Sequence, residues 1–259
     1  MLIACQLTAL ALLVCIGSTA FAQDVEVRTP RINSLVEALA SHGVTDLSEA
    51  SLIAALSHSD PQVRTIAAMK LAEDHRGDAA PAIESALSRE QNLTAQIGLS
   101  QALWGLRDDH GVAHLHAMCM DSSLSFITLI SVIDALRNTR SPAGVCAETF
   151  FAAMGRSKEP GEIAMGETRL SVIYCDSTPN QERRILTTLR LYLADPKQEA
   201  GVRLEASQAL ADIGAPECAE AIRTAISQEQ NPDYRTFLEA TLKGLERNPH
   251  YCGSSSTRP

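Results

Sequence analysis

The chain has 259 residues, of which 45% are hydrophobic and only 4% aromatic, and 31 acidic against 22 basic side chains give a formal net charge of −9. A net acidic surface disfavours nucleic acid and anionic membrane as partners, and no segment beyond the N-terminal region has the roughly 18 uninterrupted apolar residues of a spanning helix. Abundant small and aliphatic side chains with few aromatics favour closely packed helices over sheets.

Residues 1–22, MLIACQLTALALLVCIGSTAFA, carry no charged side chain, hold an apolar run from Leu7 to Ile16 and end on Ala20-Phe21-Ala22. That small-x-small ending is the pattern of a secretory cleavage site, and the run is shorter than the roughly 20 residues that cross a bilayer. The Lys or Arg usual near the start of such a leader is missing. Cys5 follows Leu-Ile-Ala, but no hydrophobic region of useful length precedes it, which argues against lipid attachment. The expectation is an exported chain, periplasmic or secreted, that begins near Gln23 and does not insert in the membrane once its signal is removed.

The mature part reads as helical hairpins. The first is predicted from Arg31 to His42 and from Leu47 to Leu56: Leu35, Ala38 and Leu39 share one face, Leu52, Ala55 and Leu56 another. Gly43 is a natural helix stop between them. Residues 60–119 then hold two copies of one unit. Val63, Ala67, Leu71, Ile83 and Leu87 are matched 32 places later by Ala95, Leu99, Leu103, Leu115 and Cys119. A unit this small buries too little on its own, so each copy covers the next and the chain becomes a stack. Asp60-Pro61 opens the first copy with an N-cap acceptor and a proline where its missing N–H is harmless.

A fourth hairpin is predicted from Leu124 to Asn138 and Pro142 to Met154, after a Ser-rich link at 121–125, with Leu136 standing 33 places after Leu103. The stretch 155–194 is less regular and reads as helices over about 161–174 and 180–193, broken at Ser177-Thr178-Pro179. The register then returns: Val202, Ala206, Leu210, Ile222 and Ile226 repeat the first copy with a uniform shift of 139, and Tyr234, Leu238 and Leu242 follow 32 later. Residues 249–259, rich in Ser with Gly and Pro, read as an unstructured tail. The expected architecture is all-α: residues 23–248 form an α-solenoid of about six stacked antiparallel hairpins.

Two segments carry a resemblance. Asp60-Pro61-x-Val63-Arg64-x-x-Ala67-Ala68-x-x-Leu71 and Glu199-x-x-Val202-Arg203-x-x-Ala206-x-x-Ala209-Leu210-Ala211-Asp212-Ile213-Gly214 resemble HEAT repeats, in particular the bacterial phycobilisome-lyase-type subgroup. The resemblance is specific over 60–119 and 196–247 and weak over 121–195. It implies that Arg64, Arg203 and Arg235 are structural arginines that brace neighbouring repeats, and that second helices line a concave face. It implies a fold more than an activity, because such stacks serve as scaffolds, inhibitors, lyase subunits and enzyme appendages.

Chemistry is sparse. Asp108-Asp109-His110-Gly111-Val112-Ala113-His114-Leu115-His116-Ala117-Met118-Cys119 concentrates imidazole, carboxylate and thiol, which are metal ligands. However, His110 falls in the turn, His114 and His116 point to opposite sides of a helix, and Cys119 takes the core position of Leu87. The paired His-Glu dipeptides of a HEAT-type di-iron hydroxylase are missing from the sequence. Gly98-x-Ser100 lacks the second glycine of a nucleophile elbow, and there is no phosphate-cradling glycine loop. No catalytic set and no cofactor site are expected. Trp104 reads as packed between units, and Arg183-Arg184 and Asp233-Tyr234-Arg235 as solvated helix faces. Asn92-Leu93-Thr94 reads as a helix cap.

Cleavage of the leader removes Cys5 and Cys15 and leaves Cys119, Cys146, Cys175, Cys218 and Cys252. In an exported chain some of these should pair. Helix ends suggest Cys146 with Cys175 and Cys218 with Cys252, each bridge adding about 2–4 kcal/mol, with Cys119 buried and unpaired. Two functional readings follow. In the first the chain is a non-enzymatic scaffold or protein-binding module that engages a protein partner through exposed second-helix positions such as Glu84, Ser88, Arg223 and Ser227. In the second it is an accessory or catalytic envelope protein with a metal site around His110, His114 and His116.

Overall fold

The structure, a computed structural model, describes residues 32–247. The expected signal segment, 1–22, the expected tail, 249–259, and Cys252 lie outside the described residues. Those residues form thirteen α-helices and no strand: α1 (Ile32–Ser41), α2 (Glu49–Ala55), α3 (Pro61–Glu73), α4 (Ala80–Arg89), α5 (Leu93–Gly105), α6 (His110–Cys119), α7 (Phe126–Asn138), α8 (Ala147–Met154), α9 (Pro160–Tyr174), α10 (Pro179–Ala194), α11 (Ala200–Ile213), α12 (Pro216–Gln228) and α13 (Pro232–Arg247). The chain divides into two compact units between Leu47 and Ser48. Helix α1, with Leu35 and Leu39 buried, belongs to the first; the remaining helices belong to the second.

Starts and stops are set by local chemistry. The side chains of Ser48, Asp60, Asn92 and Ser125 accept from backbone N–H groups in the first turns of α2, α3, α5 and α7, which satisfies donors that have no partner within the helix. Thr178 and Gln181 form a reciprocal capping box at α10. Five of the helix ends share one pattern. Gly43, His75, Arg107, Arg140 and Gly214 have positive φ, from 53° to 83°, and each stands four residues after a fully buried leucine: Leu39, Leu71, Leu103, Leu136 and Leu210. In the first four the residue after the left-handed one donates its N–H back to that leucine's carbonyl, at 2.9–3.0 Å. This is the helix-ending motif that turns the chain toward the second helix. Three of the five positions are His or Arg, residues that adopt this conformation at a cost of about 1–2 kcal/mol.

Within the second unit the helices form a two-layer stack. First helices pack on one another in the unbroken series α3, α5, α7, α9, α11 and α13, while α4, α6, α8, α10 and α12 form the other layer. The repeated apolar positions supply the core. Leu71, Leu103, Leu136, Leu170 and Leu210 are all fully buried, as are Ile83, Leu115 and Ile222 in the second helices. Each such leucine or isoleucine contributes roughly 1.5–3 kcal/mol of transfer free energy. The fold is therefore an α-solenoid of stacked antiparallel, HEAT-like hairpins.

The cysteine pairing differs from the expectation. Cys146 is joined to Cys119, not to Cys175, with a Cα–Cα distance of 4.6 Å. Cys218 is a free, buried thiol, so it is not paired with Cys252. The reason is that the bridge links successive second helices and not the two ends of one antiparallel pair. Cys119 ends α6, and Cys146 closes a 3-10 turn, Gly144–Cys146, that packs on α6 before α8 begins.

Candidate functional site

First helices α3 and α5 pack closely, whereas the second helices beside them, α4 and α6, make little backbone contact. A groove of about 420 Å³ opens there, lined by Glu84, Leu87, Ser88, Glu90, Gln96, His110 and His114. Two devices fix its walls. On one side, Gly111 of α6 lies so close to α5 that an added Cβ would stand 2.1 Å from the Ser100 carbonyl oxygen. On the other, Arg64 acts as a latch. Its Nε and Nη2 donate to the two oxygens of Glu90 at 2.6 and 2.7 Å, and its Nη1 donates to the carbonyls of His58 and Ser59 at 2.7 and 2.9 Å. Glu90 Oε1 also accepts from the backbone N–H groups of Gln91 and Asn92 at 3.0 and 2.9 Å. One guanidinium thus ties the loop before α3 to the link that starts α5.

The same latch recurs 139 residues on. Arg203 Nη2 donates to Glu229 at 2.6 Å and Arg203 Nε to the Leu193 carbonyl at 3.2 Å, while Glu229 accepts from the Asn231 N–H at 2.9 Å. The Arg203 guanidinium also stacks over the Tyr234 ring at 4.5 Å. The hydrogen bond from Arg64 holds Glu90 below the ordinary carboxylate range, and the Asn231 N–H, with Arg203, does so for Glu229. Arg235 donates to the Glu229 carbonyl oxygen. Gln96, at the matching place one repeat after Arg64, donates to the Glu90 carbonyl at 2.7 Å. All three predicted repeat arginines therefore sit at junctions between hairpins, and Gln96 is a fourth member of the set.

The chemistry in the groove gathers at its rim. His110 Nδ1 lies 2.8 Å from Asp108 Oδ1 and 3.0 Å from Glu84 Oε1, and Asp108 Oδ1 also accepts from the His110 N–H at 2.9 Å. One ligand atom from each of these three residues lies within 4.8 Å of the others. The hydrogen bond with Asp108 and the charge of Glu84 raise the His110 pKa. Asp108 is lowered: burial works against ionisation, but the hydrogen bonds to the His110 N–H and ring outweigh it. His114, one turn further along α6, is half-buried, which lowers its pKa, and its Nε2 lies 3.4 Å from Gln96 Oε1.

His110, His114 and His116, the candidate metal set of the second reading, do not converge. His116 Nε2 is 3.0 Å from the Pro142 carbonyl oxygen, on the side toward α8, and Cys119 is in the disulfide. His110 instead joins Glu84 and Asp108. Nothing in the local spacing links Glu84 to His110, 26 residues apart; their meeting depends on how successive second helices lie side by side. Ser100 is fully buried, with its hydroxyl donated to the Gln96 carbonyl at 2.8 Å. Trp104 remains 38% exposed. Among the surface positions, Ser88, Arg223 and Ser227 are exposed and Glu84 is partly so; Arg223 pairs with Glu246 at 2.7 Å.

A second unusual feature lies away from the groove. Glu167 of α9 is fully buried, and neither of its carboxyl oxygens has a hydrogen-bond partner. Burial, reinforced by the charge of Glu205, pushes it up to about 9.

No family model matches the chain, and no curated protein does. Among solved structures, human deoxyhypusine hydroxylase in complex with glycerol is similar at 17% identity with a TM-score of 0.38, over 87% of this chain and 83% of that one. The complex of CpcE and CpcF of phycocyanin lyase from Nostoc sp. PCC7120 is similar at 16% identity with a TM-score of 0.37, over 85% of this chain and 91% of that one. At these identities neither says what this chain binds or does.

Proposed function

We propose that the chain is an exported, non-enzymatic HEAT-like module that binds a protein partner along its second-helix side. The observation that carries this reading is the groove between α4 and α6, open on the second-helix layer while α3 and α5 stay packed behind it. A rigid stack that leaves such a cleft presents a preformed surface, which lowers the ordering cost of association. Among the described residues no helix is long and apolar enough to cross a membrane.

Affinity capture from the native envelope fraction tests the reading. The chain should recover one protein in stoichiometric amount, and Ser88→Arg, which adds bulk and charge to an exposed position on the groove wall, should abolish that recovery. An empty capture, or equal recovery by the variant, refutes it. Export is tested separately by N-terminal sequencing of the exported chain, which should begin at Gln23.

A further inference from the structure

We propose that Glu84, Asp108 and His110 form a binding site for a divalent transition-metal ion of the zinc class at the rim of the α4–α6 groove. The three residues come from three separate places: the middle of α4, the turn after α5 and the first position of α6. Their ligand atoms nevertheless lie within 4.8 Å of one another, so a single ion at their centre is within reach of all three after small rotations.

The framework is fixed before any ion arrives. Arg107 adopts the left-handed conformation that ends α5, and the Asp108 N–H donates to the Leu103 carbonyl at 3.0 Å. The close approach of Gly111 to Ser100 then anchors the start of α6. One imidazole faces two carboxylates. Replacing its shared proton by a divalent cation balances both negative charges and keeps the nitrogen as a ligand.

A mixed N and O donor set favours borderline ions such as Zn²⁺, whereas all-oxygen sites suit Ca²⁺ and Mg²⁺. Three protein ligands on a solvent-facing rim leave a coordination position for water or for a group on a bound partner. The competing description is an ordinary hydrogen-bonded charge triad that holds no ion.

Calorimetric titration of untagged, chelator-treated protein with zinc chloride separates the two. The expected result is one zinc per chain, binding at least about tenfold weaker in His110→Ala and in Glu84→Gln. It should be unchanged in His116→Ala, whose ring lies on the other side of α6. The His110 side chain is 77% exposed, so its removal leaves the fold intact, and a thermal melt of each variant without metal checks this. Absence of zinc binding, equal affinity in His110→Ala, or calcium binding as tightly as zinc would each overturn the assignment. None of these outcomes bears on the partner-binding reading, whose test uses Ser88.

Discussion

The sharpest energetic test lies at Glu167. It stands three residues before the buried anchor Leu170, the offset at which Ala68, Ser100, Ile133 and Ser207 precede Leu71, Leu103, Leu136 and Leu210. All of these positions are fully buried, and the others carry Ala, Ile or a serine whose hydroxyl is satisfied within its own helix. Glu167 keeps both oxygens unpaired and titrates near 9, against an ordinary value of 4.5. Between those two values the unfolded chain has released the proton that the folded chain still holds. The contribution of this group to stability is therefore intact below pH 4.5 and declines as pH rises toward 9, by about 1.4 kcal/mol per pH unit. At pH 7 the linkage disfavours folding by about 3 kcal/mol, and the unpaired polar group adds about 1–3 kcal/mol. Glu167→Met keeps the volume and removes both effects. Urea denaturation followed by far-UV circular dichroism should show the variant about 4–6 kcal/mol more stable at pH 7. The gain should shrink by about 2–3 kcal/mol at pH 5. A gain independent of pH, or a variant less stable than the parent at pH 7, would refute the assignment of Glu167 as a neutral, unpartnered core carboxyl.

The remaining predictions concern the repeat itself. Arg64→Ala strands Glu90, whose side chain is 2% exposed, and should lower stability by about 3–5 kcal/mol; Arg64→Lys recovers only part because it lacks the planar fork. Glu90 and Glu229 are held below their ordinary value of 4.5, so the stability they lend is present above pH 4.5 and lost on acidification, and Arg64→Ala should flatten the acid limb of a stability–pH curve. Replacing Cys119 and Cys146 together by Ala opens a loop spanning 27 residues and should cost about 3.5 kcal/mol in a denaturation midpoint series. In the folded protein Cys218, pushed up to about 11 by burial, should resist alkylation. Arg140→Gly relieves a left-handed residue with φ 53° and should raise stability by up to about 1 kcal/mol, read from the melting curve. Gly111→Ala should lower it by about 1–3 kcal/mol, while Gly77→Ala, with nothing within 4 Å of the new Cβ, serves as the matched control.

The stack was legible in the sequence because its signal is long-range and redundant. Leu71 and Leu210 share the Val, Arg and Ala that precede them by eight, seven and four places, Leu103 keeps the spacing with other small and aliphatic residues, and a periodic core needs only such residues in register. The turns were less legible. Gly43 announces a helix stop and Gly214 ends its helix in the same way, but His75, Arg107 and Arg140 adopt the same left-handed conformation without the residue that advertises it. They do so because the packing of two helices around each buried leucine outweighs a local cost of about 1–2 kcal/mol. The disulfide and the groove were missed for a common reason. Both Cys119–Cys146 and Glu84–Asp108–His110 join successive second helices, and the sequence pattern specifies how first helices superpose far more tightly than how far apart the second helices stand. Contacts across that looser layer depend on local distortions such as the 3-10 turn at Gly144–Cys146, which leave no periodic trace. The recurrence of the Arg64–Glu90 latch as Arg203–Glu229, beside a neutral Gln96–His114 pair in the repeat between them, makes the same point. The two charged junctions stiffen the link before α5 and the link before α13, whereas at the start of α6 the carboxylates and imidazole pair with one another across the second-helix layer, at the rim of the groove.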